Sequence, residues 1–414
     1  MCYADNLYIN GKLVEGELVI PDSATAIGSS AFYECDSLTS ITIPDSVTTI
    51  GSSAFYSCTS LTSVTIGESV TAIGESAFRN CTSLTSIVIP DSVTTIGNYA
   101  FEDCDSLTSV TIGDSVTTIG NYAFYNCDSL TSIVIPDSVT TIGDRAFCSC
   151  DSLTSMVIPH SVTTIGESAF SYCESLTSVT IGESVTTIGN YAFYYCYKLV
   201  EVYNKSSLNI TKGSTDNGYV GYYALNVYTE EGGSKLTADE DGYIIYTDGA
   251  DKILVGYVGE QTDLIIPNGI TKINQYAFYG CDSLTSIVIP DSVTTIGNYA
   301  FYYCDSLTSV TIGDSVTTIG ESAFSYCESL TSIVIPNSVT TIGEDAFYKC
   351  TRLTSIVIPD TVTDIDDYAF SGCTSLTDVY YTGTEEQWNN ITIGSYNYNL
   401  TNATIHYNYT GEEN

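Results

Sequence analysis

Histidine, tryptophan, methionine and basic residues are all scarce in this 414-residue chain: two His, one Trp, two Met, and 11 Lys and Arg together. With so few His, and no CxxC pair among 15 Cys, repeated Cys/His zinc sites lack ligands. Against the bases stand 49 Asp and Glu, for a formal charge of −38. This balance argues against nucleic acid, whose binding rests on cationic contacts to phosphate, and against anionic membrane surfaces. Long apolar runs are missing too. No stretch approaches the ~18 residues of a membrane-crossing helix, so no membrane insertion is expected. The opening MCYADNLYIN has neither the basic start nor the apolar run of a secretory signal. Either the protein is cytosolic or this chain is a fragment whose leader lies upstream. There is no Walker loop and no GxGxxG, so phosphate-cradling glycine loops are absent.

What the chain has is a period. IVIPDSVTTIGNYAF or a near copy returns every 23 residues, and all 13 Phe sit at one slot of it, from Phe32 to Phe193 and from Phe278 to Phe370. Thirteen of the 15 Cys follow three residues after those Phe. A strict period of this length predicts a solenoid rather than a globule with one cleft. A cysteine that repeats with the fold reads as a small buried hydrophobe, so Cys104 and Cys127 are placed in a ladder of buried thiols. Cys2 and Cys148 fall off that ladder and are expected to be exposed.

Residues 87–109, IVIPDSVTTIGNYAFEDCDSLTS, show one repeat as a physical object. Ser86-Ile87-Val88-Ile89 alternates, so it reads as a strand with Ile87 and Ile89 inward. Pro90 ends it; where Pro is missing from this slot, Gly67, Gly113, Gly182 or Gly313 replaces it, and both are turn formers. Ser92 to Ile96 is a second extended segment, rich in β-branched residues, broken by Gly97. Asn98-Tyr99-Ala100-Phe101 then suits a helical turn with Asn98 as its N-cap. Eight buried apolar side chains contribute about 1.5–3 kcal/mol each. Ordering 23 residues at ~1.5 kcal/mol apiece costs more. The coils above and below must supply the difference, through core residues such as Phe101, Cys104, Phe124 and Cys127. Trp388, the single Trp, reads as the plug of the terminal coil.

This pattern, with Ala-Phe followed by Cys and then Leu, resembles the leucine-rich repeats of BspA-like surface proteins. The resemblance implies a right-handed leucine-rich repeat solenoid. A parallel β-sheet would line its concave face, with short extended and helical turns on the convex side. It also implies a surface or secreted protein and adhesion to host proteins or other cells.

The repeats divide the chain. A hairpin cap is expected at 1–17, with a tight turn at Asn10-Gly11, then eight repeats over 18–201 and a C-terminal-type cap over 202–228. A polar joint follows at 229–242, then a second hairpin cap at 243–263 turning at Asp248-Gly249, five repeats over 264–378 and a final cap over 379–414. Two capped solenoids in tandem are favoured over one continuous superhelix.

Three surfaces are candidate sites. Alternate strand residues should line the sheet face: Ser40 and Thr42, Ser63 and Thr65, Ser86 and Val88, Ser109 and Thr111, Ser132 and Val134. This ladder is small, neutral and uniform, and reads equally as a lining copied by duplication. Tyrosines flanking the Phe slot, Tyr99 and Tyr122 among them, would either pack between coils or form an exposed aromatic stripe. An acidic row, Asp45, Glu68, Asp91, Asp114 and Asp137, would stack at the ~4.8 Å spacing of neighbouring strands. It is a weak cation row without the DxDxDG loop that wraps calcium, so no metal or other cofactor is assigned. Ser and Cys repeat with no base placed beside one in particular, and His160 replaces the acid or amide of other coils, so no catalytic residue is assigned.

The residues support a rigid scaffold. The resemblance adds the expectation of a monomeric, non-enzymatic, extracellular or cell-surface protein that binds a protein or glycan on another cell or matrix. The alternative is an intracellular or structural spacer without a dedicated ligand.

Overall fold

The computed structural model describes residues 16–229 and 233–411, together with the N-terminal strands Cys2–Tyr3, Asn6–Ile9 and Lys12–Val14. The chain divides into two compact units, Met1–Gly232 and Gly233–Asn414, each with its own hydrophobic cluster.

In both units each repeat is one coil of a parallel β-solenoid. Strand Ser86–Ile89 buries Ile87 and Ile89 and turns Ser86 and Val88 outward, as its alternation predicts. It pairs residue for residue with Ser109–Ile112, one repeat on: Ser86 with Ser109, Val88 with Thr111. A second strand, Thr95–Ile96, belongs to a seven-stranded parallel sheet running from Thr49–Ile50 to Thr187–Ile188. Because partners lie one period apart, identical side chains stack into columns. The Phe column is the clearest: in the first unit, centroids of neighbouring Phe rings lie 5.0 to 5.4 Å apart. Phe55 to Phe193 are fully buried.

The remaining arc of each coil departs from expectation. It contains turns rather than a helical turn. The N–H groups of Tyr99, Phe101 and Asp103 donate to the carbonyls of Asn121, Ala123 and Tyr125 in the next coil, at 2.8, 2.8 and 2.9 Å. Aiming alternate amides at the neighbour requires left-handed backbone at Tyr99 (φ 58°) and Asp103 (φ 57°). Such a residue costs about 1–3 kcal/mol, which the inter-coil bonds offset. Asn98 does not cap its own coil. Its Oδ1 accepts the N–H of Asn121 in the next one at 2.9 Å.

The Pro/Gly slot also has a tighter cause than turn formation. A Cβ on Gly113 would meet the Pro90 carbonyl oxygen at 2.5 Å, and one on Gly67 would meet the Pro44 carbonyl carbon at 2.5 Å. Glycine is needed there because the backbone of the preceding Pro coil approaches so closely. This fit lets the sheet pair well: four residue pairs join Ser86–Ile89 to Ser109–Ile112, whereas two join Ser109–Ile112 to Ser132–Ile133.

The ends differ from the coils. In the first unit, Asn6–Ile9 pairs antiparallel with Lys12–Val14; the Asn10-Gly11 turn lies outside the described residues. Glu201–Asn204 and Asn226–Tyr228 extend the parallel sheet at the other end. In the second unit, Tyr243–Asp248 and Asp251–Tyr257 form an antiparallel hairpin with Gly249 at φ 64°. The segment read as a polar joint contributes a strand, Leu236–Ala238, to the hairpin's edge. Helix Glu385–Trp388 is fixed by a capping box. Thr384 Oγ1 accepts the Gln387 N–H at 3.3 Å, and Gln387 Oε1 accepts the Thr384 N–H at 2.9 Å. That helix seats buried Trp388 edge-on to Tyr381, centroids 5.2 Å apart.

Candidate functional site

The candidate binding residues fall on two different walls of the coil. Thr42, Ser63, Thr65, Ser86, Ser109 and Thr111 are exposed on the longer-stranded sheet face, with Ser40 half-buried beside them. Tyr99 and Tyr122 lie on the turn arc, half-buried, and stack with centroids 4.9 Å apart. No single surface unites the hydroxyl ladder with the tyrosines.

Valines stand exposed among the Ser and Thr of this face, Val88 and Val134 as expected. Val88, Val134 and Val157 point outward from it and are 62%, 80% and 63% exposed. Pairing of the sheet is interrupted between Ser132–Ile133 and Ser155–Val157. A groove of 720 Å³ lies there, lined by Val134 and Val157 with Asp137, His160 and Lys205. His160 Nδ1 is 3.3 Å from Asp137 Oδ1, both side chains exposed.

The acidic row is built into the backbone. Asp45 Oδ1 accepts the Glu68 N–H at 2.8 Å, and Asp91 Oδ1 accepts the Asp114 N–H at 2.9 Å. These carboxylates thus tie successive coils, and a charge-assisted bond to a backbone N–H compensates part of their mutual repulsion. Among the described residues, no group of three or more His, Cys, Asp or Glu converges as a metal site would require.

Sulfur does more here than fill space. Cys104 Sγ donates to the Phe78 carbonyl at 3.2 Å and Cys127 Sγ to the Phe101 carbonyl at 3.2 Å, each reaching back to the previous coil. Burial pushes the Cys58 thiol up to about 12 and the Cys148 thiol up to about 11, so neither is a ready nucleophile. Two readings need correction. Cys148 is buried at 5% exposure, because its short side chain sits in the slot after Phe147 among larger tyrosines such as Tyr125 and Tyr172. Cys35, at the first rung, is disulfide-bonded and carries no free thiol. The Cys2 side chain lies outside the described residues.

A second acidic column escaped the sequence reading. Asp105, Asp128, Asp151 and Glu174 occupy the position after Cys in four successive coils. Loss of surrounding water, then the neighbouring carboxylate, raises Asp151 to about 6 and Glu174 to about 7, with Lys198 opposing the latter. The signal was present as four consecutive acids at one slot.

Tyrosines on the arc hold three of the chain's cations, Arg79, Arg145 and Lys349. The Arg79 guanidinium lies 5.8 Å from the Tyr56 ring and 5.6 Å from the Tyr99 ring, and its Nε is 2.8 Å from Glu102 Oε2. Arg145 sits 5.4 Å from the Tyr122 ring and donates to its hydroxyl.

Comparison with known proteins agrees with this architecture. The family described as the BspA type leucine rich repeat region (6 copies) matches over three segments, residues 10–130, 117–215 and 257–377. Among solved structures, a leucine rich cell surface protein from Faecalibacterium prausnitzii A2-165 is 34% identical, with 92% of this chain and 90% of that one covered and a TM-score of 0.41. A leucine-rich repeat protein from Bacteroides ovatus ATCC 8483 is 27% identical, covering 98% of this chain and 99% of that one with a TM-score of 0.42. No curated protein sequence matches. No helix among the described residues is long and apolar enough to cross a membrane.

Proposed function

The chain belongs to the BspA type leucine rich repeat family, and from that premise we propose that it is a non-enzymatic adhesion scaffold of the extracellular or cell surface. Its sheet face would engage proteins or glycans of another cell or matrix. Family membership supports the binding role. The observation that carries the choice of face is the exposure of Val134 and Val157, 80% and 63%, on either side of the sheet groove. Exposed β-branched residues around a concavity suit a partner better than solvent. We further propose that the chain works as a monomer of two capped solenoids in tandem, a division supported by the two separate hydrophobic clusters.

The test is capture of partners from host extracellular matrix and mucin at physiological salt. The intact chain and a Val134→Asp, Val157→Asp variant would be compared. Capture by the parent and its loss in the variant is the expected result. No capture by either would favour the structural spacer.

A further inference from the structure

A solenoid surface repeats from coil to coil, so a specific site can arise where the repeat lapses. One lapse lies on the turn arc of the first unit. Position by position, the slot after Phe holds Tyr125 and Tyr194, but Cys148 and Ser171 in the two coils between them. These small side chains leave a groove of 840 Å³, with Cys148 and Ser171 buried in its lining at 5% and 3% exposure. Tyr122 and Tyr125 line it from one end, Tyr191 and Tyr194 from the other, and Tyr172 lines it as well.

Beside its aromatic rings the groove carries one carboxylate, Glu102, which is paired with Arg79 at 2.8 Å, and one guanidinium, Arg145. Glu102 lines it and is itself buried at 7% exposure. Burial, then the nearby Cys148, Asp103 and Glu102, raise the Tyr125 phenol against Arg145; burial, then Tyr195, Cys148 and Glu174, raise Tyr172. Arg145 also lines the groove, turned onto Tyr122. The same arc shows what such rings hold. Arg79 rests between two tyrosines against Glu102, Arg145 rests on Tyr122, and in the second unit Lys349 rests on Tyr326 and Tyr348 at 4.9 and 5.6 Å. Tyr125, Tyr172 and Tyr194 present similar rings in the groove, and no Lys or Arg among the described residues stacks on them.

We propose that this groove is a second binding site, which receives Arg or Lys side chains of a basic protein segment on the Tyr125, Tyr172 and Tyr194 rings, beside Glu102. Cation–π contact strengthens as the cation is desolvated, and a groove provides that. A chain charge of −38 steers basic partners toward it. The site is separate from the sheet face and stands whether or not that face binds.

The test is fluorescence anisotropy of a labelled octa-arginine peptide with the full chain at physiological salt. Tyr125→Ser and Tyr172→Ser each remove one ring, and Ser171→Tyr fills the groove. Each introduced residue already occupies the same slot in another coil, as Ser171, Ser149 and Tyr194 show, so the fold has a place for it. Circular dichroism confirms folding. Each Tyr→Ser variant is expected to weaken binding about fivefold to tenfold, the loss of one cation–π contact, and Ser171→Tyr to weaken it at least as much by occupying the space the cation would enter. Tyr398→Ser, at an exposed tyrosine of the second unit, should leave binding unchanged. No binding by the parent overturns the proposal. So does equal binding by all variants, which would mean adsorption to net charge alone. Binding of a neutral oligosaccharide that the groove variants abolish, with octa-arginine indifferent to them, would make it a sugar site instead.

Discussion

Phe101 and Phe124, one repeat apart, stack with ring centroids 5.2 Å apart and planes within 7° of parallel, and neither is accessible to solvent. Each ring is therefore buried by the coils on either side as much as by its own. Removing one should be felt in both neighbours. Phe124→Ala is expected to destabilise the chain by about 3–5 kcal/mol, because a stacked column cannot collapse around the gap. Urea denaturation followed by circular dichroism measures it. A loss below about 1 kcal/mol would mean the column is not tightly packed.

Glycines separate by environment. Gly113→Ala would push a methyl group against the Pro90 carbonyl, 2.5 Å away, whereas a Cβ on Gly28 meets nothing within 4 Å. The first change should cost about 1–3 kcal/mol and the second less than about 0.5 kcal/mol. Paired melting curves of the two variants check this, and equal effects would refute the close approach.

The thiol column should be silent in the folded state and structural in its effect. Cys127 is buried and its Sγ holds the Phe101 carbonyl at 3.2 Å. Cys127→Ala removes that bond and should cost about 0.5–1.5 kcal/mol. Ellman's reagent should label Cys127 and Cys148 only after denaturant is added. Fast labelling of Cys148 in the native chain would contradict its burial.

Stability should rise as the solution is mildly acidified. Asp151 and Glu174 sit at about 6 and about 7 when folded, against 3.8 and 4.5 as ordinary acids. The folded chain therefore binds protons that the unfolded chain has released. The penalty of ionising them is full above about pH 7 and is relieved as pH falls through the folded values. Tm should climb between about pH 8 and about pH 5. Glu174→Gln should raise it at the alkaline end and flatten the slope. An unchanged slope in the variant would remove Glu174 from the cause.

Much of this was legible because the chain states each core position many times over. The strand Ser86–Ile89 and the burial of Ile87, Phe101 and Leu107 follow from alternation and period alone. The turn arc was not legible. Asn98-Tyr99-Ala100-Phe101 has the composition of a helical turn, but the bonds that decide its backbone run to Asn121 and Ala123 in the next coil. Local propensity carries no record of such partners. The candidate surfaces were read as columns of Ser, Thr and Val, of Tyr, and of Asp and Glu. The groove between Tyr125 and Tyr194 depends instead on what Cys148 and Ser171 do not fill, and an absence of bulk looks like drift in a sequence.

Coil-on-coil burial can be tested by deletion in and out of period. Removing residues 87–132 takes out two whole coils and joins Ser86 to Ile133, keeping every column in register. Removing residues 87–121 breaks the register. Urea unfolding of both should show the in-period deletion folded and cooperative, with a smaller m-value in proportion to the surface lost, and the out-of-period deletion unfolded or grossly destabilised in its first unit. Equal stability of the two deletions would contradict a core made of stacked, register-matched coils.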